Sequence, residues 1–312
     1  MRIGRIERSG EVHLAAATER DGNVVALDLT AAARAAGLAQ SGRFDSMLWF
    51  IEGGASALDE AAYLLGRAAL EHGQPWSPLD SVRWLVPVER PSSFLCAGRN
   101  FFKHREESAQ SWSKEGVQIG EMPIPTGFVK LAGTLIGDGD EIVTPPGVRE
   151  LDYELEIAAV IGRPTLNVTE DEALAHVFGY TVFNDISARE WQRQEMRNQM
   201  LMLGKNFPTF GPLGPWILTA DEVEDPSQLE LELRVNGEVR QQDTAASMIF
   251  GFERLVAFWS KTGLRVGDLI ASGTPDGVAT HHKPDPFEWY LRPGDRIEAT
   301  VRQIGTLRSV VR

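Results

Sequence analysis

Two apolar runs of strand length lie between residues 151 and 185. The first, Leu151-Asp152-Tyr153-Glu154-Leu155-Glu156-Ile157-Ala158-Ala159-Val160-Ile161-Gly162, is rich in apolar and β-branched residues and is closed by Gly162 and Pro164. That pattern predicts a strand rather than a short helix. Side chains two apart in a strand share a face, so Glu154 and Glu156 stand together with α-carbons roughly 6 to 7 Å apart. Leu155, Ile157 and Ala159 take the other face. The second run, Val177-Phe178-Gly179-Tyr180-Thr181-Val182-Phe183, ends at Asn184-Asp185.

Residues 1 to about 85 alternate short strand-like runs, such as Val24-Val25-Ala26-Leu27, with helical ones, such as Ala57 to Leu70, which should stop at Gly73 and Pro75. We read 1–85 as a small N-terminal α/β domain. The proline-rich stretch Pro75 to Pro91 crosses into a second domain, 86–312, made mostly of short strands. There Val235-Asn236-Gly237-Glu238-Val239 reads as a hairpin, because Asn-Gly takes the positive φ angles of a type I′ turn. Gly267-Asp268-Leu269-Ile270 and Gly294-Asp295-Arg296-Ile297 each read as a turn feeding a strand. Helices are expected only at Glu170 to Val177, Ser187 to about Met200 and Ser247 to about Lys261. The fold class expected is therefore α+β, mainly β.

Acidic residues outnumber basic ones by 44 to 31, for a formal net charge of -13. No Lys/Arg cluster is present to follow a phosphate backbone, which argues against nucleic acid and anionic membranes as partners. A small anionic substrate would need local cations or a metal, because the global field repels it. The single cysteine, Cys96, fits a reducing compartment and reads as a small buried hydrophobe. With charge in the first residues and no long apolar segment, the expectation is a cytoplasmic protein.

Two like charges on one face of an apolar strand repel and lose hydration, a cost offset by a bound cation or by protonating one of them. Glu154, Glu156 and Asp185 thus form a candidate metal site, and oxygen-only ligands favour Mg2+, Mn2+ or Ca2+ over zinc. Each residue also has a plainer reading. The two glutamates could hydrate on an edge strand, and Asp185 could cap a helix beginning near Ser187. His104 and Glu107 are neighbours if their segment is helical, which makes a water-activating pair or else part of a charged surface helix. Lys205 lies in an apolar setting where an ammonium seeks an anion, and Arg189 and Gln192 share a helical face. Consecutive side chains diverge, so His281-His282 reads as loop rather than metal site. Gly137-Asp138-Gly139-Asp140 reads as a turn, and no Walker A, GxSxG, HExxH or dinucleotide fingerprint occurs.

Taken together, these segments resemble the fumarylacetoacetate hydrolase family over roughly residues 91 to 312. The resemblance is carried by Gly98-Arg99-Asn100 with His104 four residues on, Leu151 to Glu156, Phe178-Gly179-Tyr180-Thr181, Asn184-Asp185-Ile186-Ser187-Ala188-Arg189 and Gly204-Lys205. Gly211 to Trp216, Val235 to Glu238 and Gly273-Thr274-Pro275-Asp276-Gly277-Val278 extend it. It implies a β-rich core, usually in a homodimer, with Mg2+ or Mn2+ on Glu154, Glu156 and Asp185. It also implies a His104–Glu107 dyad, Lys205 as a further catalytic group, and Arg99, Arg189, Gln192 and Thr274 along the substrate pocket. The sequence departs from the family pattern at Phe101, Glu190, Asn206 and Pro208, and in a long loop from Thr280 to Tyr290.

The activity expected is hydrolysis of a carbon-carbon bond in a 2,4-dioxo acid of the acylpyruvate type, with water activated by His104 and a pyruvate-type enolate expelled onto the metal. Decarboxylation, isomerisation or dehydration of a 2-oxo acid through the same enolate is the nearest alternative. A metal-stabilised binding protein without turnover is the alternative from another class.

Overall fold

In a computed structural model that describes residues 1–20, 22–70, 75–114 and 120–312, the chain is built on one 12-stranded sheet. The α+β, mainly β expectation holds. The sheet's centre is the strand Leu155–Ile161, flanked antiparallel by Val177–Asn184 and by Leu269–Ala271. Phe94–Ala97 pairs parallel with Leu269–Ala271, and Gly211–Thr219 pairs with Val177–Asn184 on the other side. The N-terminal strands Arg2–Arg8, Glu11–Arg20 and Asn23–Asp28 continue the same sheet, because Arg2 and Ile3 pair with Leu218 and Ile217. Hydrogen bonding thus runs unbroken across the proline-rich stretch.

Alternation along Leu155–Ile161 sets the two layers that cover this sheet. Leu155, Ile157, Ala159 and Ile161 pack with a 5-stranded sheet containing Glu230–Val235 and Arg296–Val301. Ala158 and Val160 pack with the N-terminal helices through Phe50, Ala57, Ala61 and Leu64. Both faces are apolar, as a strand buried on both sides requires. The carboxylates share parity with the second set, as the sequence pattern predicts.

The hairpin forms with Asn236 at φ 52° and Gly237 at φ 82°. The helix Gly54–Leu70 buries Ala57, Ala61, Leu64 and Ala68, while its expected stop at Gly73 lies outside the described residues. Three helices are shorter than expected. Glu170–Ala173 gives way to a 3-10 turn, Leu174–His176, and Val177 already opens the next strand. Arg189–Met196 begins late because Ser187 and Ala188 pair as strand with Asp152 and Leu151, and Phe252–Trp259 begins after Gly251. Among the described residues no helix is long and apolar enough to cross a membrane.

The topology brings four strand ends to one edge of the sheet. Leu155–Ile161 starts there, and Val177–Asn184, Leu269–Ala271 and Phe94–Ala97 all finish there, as the registers Leu155↔Asn184, Ala158↔Ala271 and Ala271↔Cys96 fix. Glu154 precedes the first of these ends and Glu156 stands just inside it, while Asp185, Arg189, Thr274, Arg99 and His104 follow the others.

Candidate active site

Glu154 precedes its strand, and three side chains fix it and its neighbours. Asn184 Oδ1 accepts the Glu154 amide at 3.0 Å, Gln241 Oε1 accepts Leu155 N at 2.9 Å and Ser272 Oγ accepts Ile157 N at 3.0 Å. Asp185 N donates to Glu154 O at 2.8 Å. These bonds replace the strand ladder where it ends, so the carboxylates stand on rigid backbone. Glu154, Glu156 and Asp185 are 6%, 1% and 0% exposed, which overturns the hydrated-edge reading, and each offers an oxygen within 4.8 Å of the others'.

Cations crowd this trio. Lys205 Nζ lies 2.6 Å from Asp185 Oδ2 and 2.7 Å from Glu154 Oε2, Lys130 Nζ lies 2.6 Å from Asp185 Oδ1, and Arg189 Nη1 lies 2.8 Å from Glu154 Oε1. Asp185 therefore meets lysines rather than a helix N-terminus. Arg189 Nε also donates to Asp152 Oδ2 at 2.7 Å. Four buried carboxyls, Asp152 included, face three buried cations, and the unmatched charge falls on Glu156. The Gly273 amide donates to it at 3.1 Å, turned inward by a φ of +80° that glycine adopts without strain. Burial, then Asp185 and Glu154, push the Glu156 pKa well above the carboxylate range. Burial works against charge at Glu154 too, but Lys205, Arg189 and His104 outweigh it and hold that pKa well below. At Lys205, burial is likewise outweighed by Asp185 and Glu154, and the pKa is raised.

Does this cluster suit a divalent cation? Three converging oxygens, one of them on a carboxyl whose charge no neighbouring cation matches, fit a hard cation such as Mg2+ or Mn2+.

His104 and Glu107 sit on the helix Phe102–Lys114, which meets the condition on which the sequence made them neighbours. No His104–Glu107 hydrogen bond is formed, yet His104 Nδ1 and Glu107 Oε2 are both buried without a partner. They are a complementary donor and acceptor three residues apart, so pairing them would satisfy both. The Gly277 amide holds Glu107. Burial lowers the His104 pKa to about 3, with Glu154 opposing the shift and His281, Arg189 and Lys205 adding to it. His104 is therefore a neutral imidazole at ordinary pH.

His104, Glu154, Lys205, Arg189, Gln192, Arg99 and Thr274 line one cavity of about 760 Å3. Gln192 Oε1 accepts from Arg189 Nη1 at 2.7 Å, and Thr274 Oγ1 bridges Gln241 Nε2 and Leu155 O, at 2.9 Å each. Arg99, at φ 55°, meets no carboxylate among the described residues. Glu107 stands behind His104 rather than on the cavity wall.

Sequence reasoning missed four residues here. Lys130 carries the signal Lys205 carries, a lone ammonium in an apolar run, Phe128-Val129-Lys130-Leu131. Asp152 stands two before Glu154 and was not singled out. Its oxygens accept from Tyr153 N and Ala279 N at 2.8 Å and from Thr280 N at 3.0 Å, besides Arg189. Gln241 gave no sequence signal. His281 was placed in a loop, and it does occupy a single 3-10 turn, Ala279–His281, but that turn brings its ring 5.5 Å from His104 and its Nε2 3.3 Å from Ser108 Oγ. The two histidines do diverge, since His282 stacks on Trp289 at 3.6 Å. Three of the departures from the family pattern are structural. Phe101 is fully buried, Glu190 accepts the Arg149 and Glu150 amides, and Asn206 bonds Leu131 N and Val129 O.

The two histidines make acid sensitivity predictable. Burial lowers His281 to about 4, with Arg189 adding to the shift, as it lowers His104 to about 3, against 6.5 in the unfolded chain. Below pH 6.5 the unfolded chain therefore takes protons that the folded one refuses, and stability falls as pH drops toward 4 and then 3. Urea unfolding from pH 7.5 to 5 should show this slope, and it should flatten in the double variant His104→Gln, His281→Gln. An unchanged slope would mean that other groups carry it.

The family described as Fumarylacetoacetate (FAA) hydrolase C-terminal matches residues 93–312. The human protein named oxaloacetate tautomerase FAHD2A, mitochondrial, is 38% identical over 267 residues, covering 85% of this chain and 79% of that protein. Among solved structures, a fumarylacetoacetate hydrolase from Exiguobacterium antarcticum superposes with a TM-score of 0.77 at 30% identity, over 100% of this chain and 99% of the other. Maleylpyruvate hydrolase from Sphingobium sp. SYK-6, in complex with manganese (II) ion and pyruvate, gives 0.74 at 25% identity, over 100% and 98%.

Proposed function

The chain belongs to the fumarylacetoacetate hydrolase family, an enzyme family, and from that premise we propose that it is a metal-dependent enzyme that interconverts the keto and enol forms of a 2-oxo acid. The observation that carries this reading is a buried, neutral imidazole, His104, opening on the same cavity as Glu154, one of a triad of buried carboxylates, and as the Lys205 and Arg189 that pair with it.

The residues divide the work as follows. Glu154, Glu156 and Asp185 would hold Mg2+ or Mn2+, which when bound supplies Lewis acidity against the negative charge that builds on the 2-oxo oxygen. Arg99 and Arg189 offer positive charge to the substrate carboxylate, and Lys205 holds Glu154 and Asp185 in place while its ammonium borders the cavity. His104 takes the proton from C3 as the C3–H electron pair becomes the C2–C3 double bond, then returns that proton to the oxygen. A base kept neutral suits both halves of this exchange. Thr274 and Gln192, each already hydrogen-bonded to the protein, shape the wall rather than move protons.

The sequence alone put carbon-carbon hydrolysis first. Tautomerisation now ranks ahead, supported by a relative that bears that activity in its name and by a histidine that needs no activated water to perform it. Hydrolysis stays as the second reading, favoured by the complementary unpaired atoms of His104 and Glu107, which together would activate water. The homodimer and the cytoplasmic location are part of this proposal as well.

The test follows the enol absorbance of oxaloacetate after dilution into buffer with Mg2+ or Mn2+, beside acetylpyruvate monitored for pyruvate release. Accelerated enol loss that His104→Gln slows by about 10²- to 10⁴-fold supports tautomerisation. Release of pyruvate, with no acceleration of enol loss, transfers the conclusion to hydrolysis.

A further inference from the structure

We infer that the substrate is a 2-oxo acid whose far end is apolar, an aryl or branched-alkyl group rather than a second carboxylate. This rests on the 2-oxo acid reading above and adds the substrate class.

Burial orders the lining of the cavity. His104, Glu154, Arg189, Lys205 and Thr274 are each at most 6% exposed and form its polar floor. At the mouth stand Met196, Met200 and Leu201 from one segment and Pro286 and Phe287 from another, with Met200 66% and Phe287 45% exposed. Large apolar side chains from two separate segments, gathered at the mouth of one polar pit, mark a surface built to be covered. The occupant argued for here is the substrate's own tail, because the patch is continuous with the pit that takes the 2-oxo acid head.

Size and charge point the same way. Since a water molecule's share of liquid volume is about 30 Å3, the cavity of about 760 Å3 has room for on the order of twenty-five waters, far more than a four-carbon acid displaces. A distal carboxylate would need a second free cation, and among the described residues that line the cavity the arginine that meets no carboxylate, Arg99, is the one assigned above to the carboxylate of the 2-oxo acid head. Arg193 is spent on Glu150 at 2.6 Å, Glu150 also takes the Tyr290 hydroxyl at 3.0 Å, and Asp285 adds a further negative charge. A second carboxylate would meet acids and thioethers, whereas a phenyl ring would meet methionines, which adapt to aromatic faces. The long Thr280 to Tyr290 loop supplies Pro286 and Phe287, so the feature in which this chain departs from the family pattern is the one that builds the apolar wall.

The experiment compares phenylpyruvate with oxaloacetate on the full chain with Mn2+, in the wild type and in the double variant Met200→Ser, Phe287→Ser. Both substituted residues are exposed, so the fold tolerates the change. Expected is a kcat/KM for phenylpyruvate at least about tenfold above that for oxaloacetate, the factor that burying a phenyl ring gives, and a fall in that ratio of about tenfold in the variant. A wild-type preference for oxaloacetate overturns the inference, as does an unchanged ratio in the variant. So does a variant that loses only its self-association in sedimentation, since the patch is then a subunit interface. Calorimetric titration with the same two acids separates this inference from the one beneath it. Tighter phenylpyruvate binding without turnover of either acid keeps the apolar tail and sinks the tautomerase, and turnover of both without preference does the reverse.

Discussion

Replacing Glu156 by glutamine should leave the cation-free protein as stable as the wild type and abolish both divalent-cation binding and turnover. Without a cation, burial and the adjacent Asp185 and Glu154 push the Glu156 pKa well above the carboxylate range and so favour its neutral form. A neutral amide of the same shape is then close to the group already there, and a volume-conserving change of this kind costs less than about 1.5 kcal/mol. Toward a cation the two differ completely, because the amide brings no negative charge. Affinity should fall by more than the roughly ten- to hundredfold that loss of a mere supporting residue costs. The contrast is Glu154→Gln, which strips a buried anion from Lys205 and Arg189, at 2.7 and 2.8 Å, and should cost about 3–5 kcal/mol even without metal. Calorimetric titration with Mn2+ and urea unfolding after EDTA treatment measure the two halves. Wild-type Mn2+ affinity in Glu156→Gln would remove the carboxylate trio as the metal site.

Asp152→Ala should be the most destabilising single change near the site, although Asp152 is not on the cavity wall. Its carboxylate is fully buried and accepts four bonds, from Arg189 Nε, Tyr153 N, Ala279 N and Thr280 N. Breaking a buried ion pair by deleting one partner costs about 3–5 kcal/mol, and each amide left unsatisfied adds about 1–3 kcal/mol where water cannot reach it. The same change frees the turn that carries Thr280 and His281, so activity should fall further than stability alone explains. Asp152→Asn keeps one carbonyl oxygen for Tyr153 and Ala279 and should lie between the two. An unfolding midpoint for Asp152→Ala within about 1 kcal/mol of wild type would show that Arg189 and the turn are held by other groups.

Local pattern was enough to locate the strand with its two glutamates, the strand ending at Asp185 and the Asn-Gly hairpin, while it left the segment bearing His104 and Glu107 open between loop and helix. Each of the three located elements depends on a period of 2 or on a single turn, which short stretches of sequence encode without reference to the rest of the chain. The same pattern misjudged two helix starts, because whether Ser187 and Ala188 enter a helix is decided by pairing with Leu151 and Asp152 more than thirty residues away.

The candidate site divides along the same line. Sequence named the three carboxylates and Lys205 because charged groups in apolar runs announce an unusual environment wherever they occur, His104 from its spacing to Glu107, and the pocket residues Arg99, Arg189, Gln192 and Thr274 only through the family resemblance. It could not say that Asp152 would clamp Arg189 to the 279–280 turn, that Lys130 would reach Asp185, that Gln241 would take an amide of the glutamate strand, or that His281 would face His104 while its neighbour turned away. Those contacts join residues 37 to 177 positions apart, and only the antiparallel and parallel registers that bring four strand ends to one edge of the sheet create them. The sequence thus determined which groups carry charge and on which face of which element they stand. The tertiary structure decided which charges meet, which one is left unmatched at Glu156, and how far the cavity extends beyond them, since these depend on distances between elements that no local period contains.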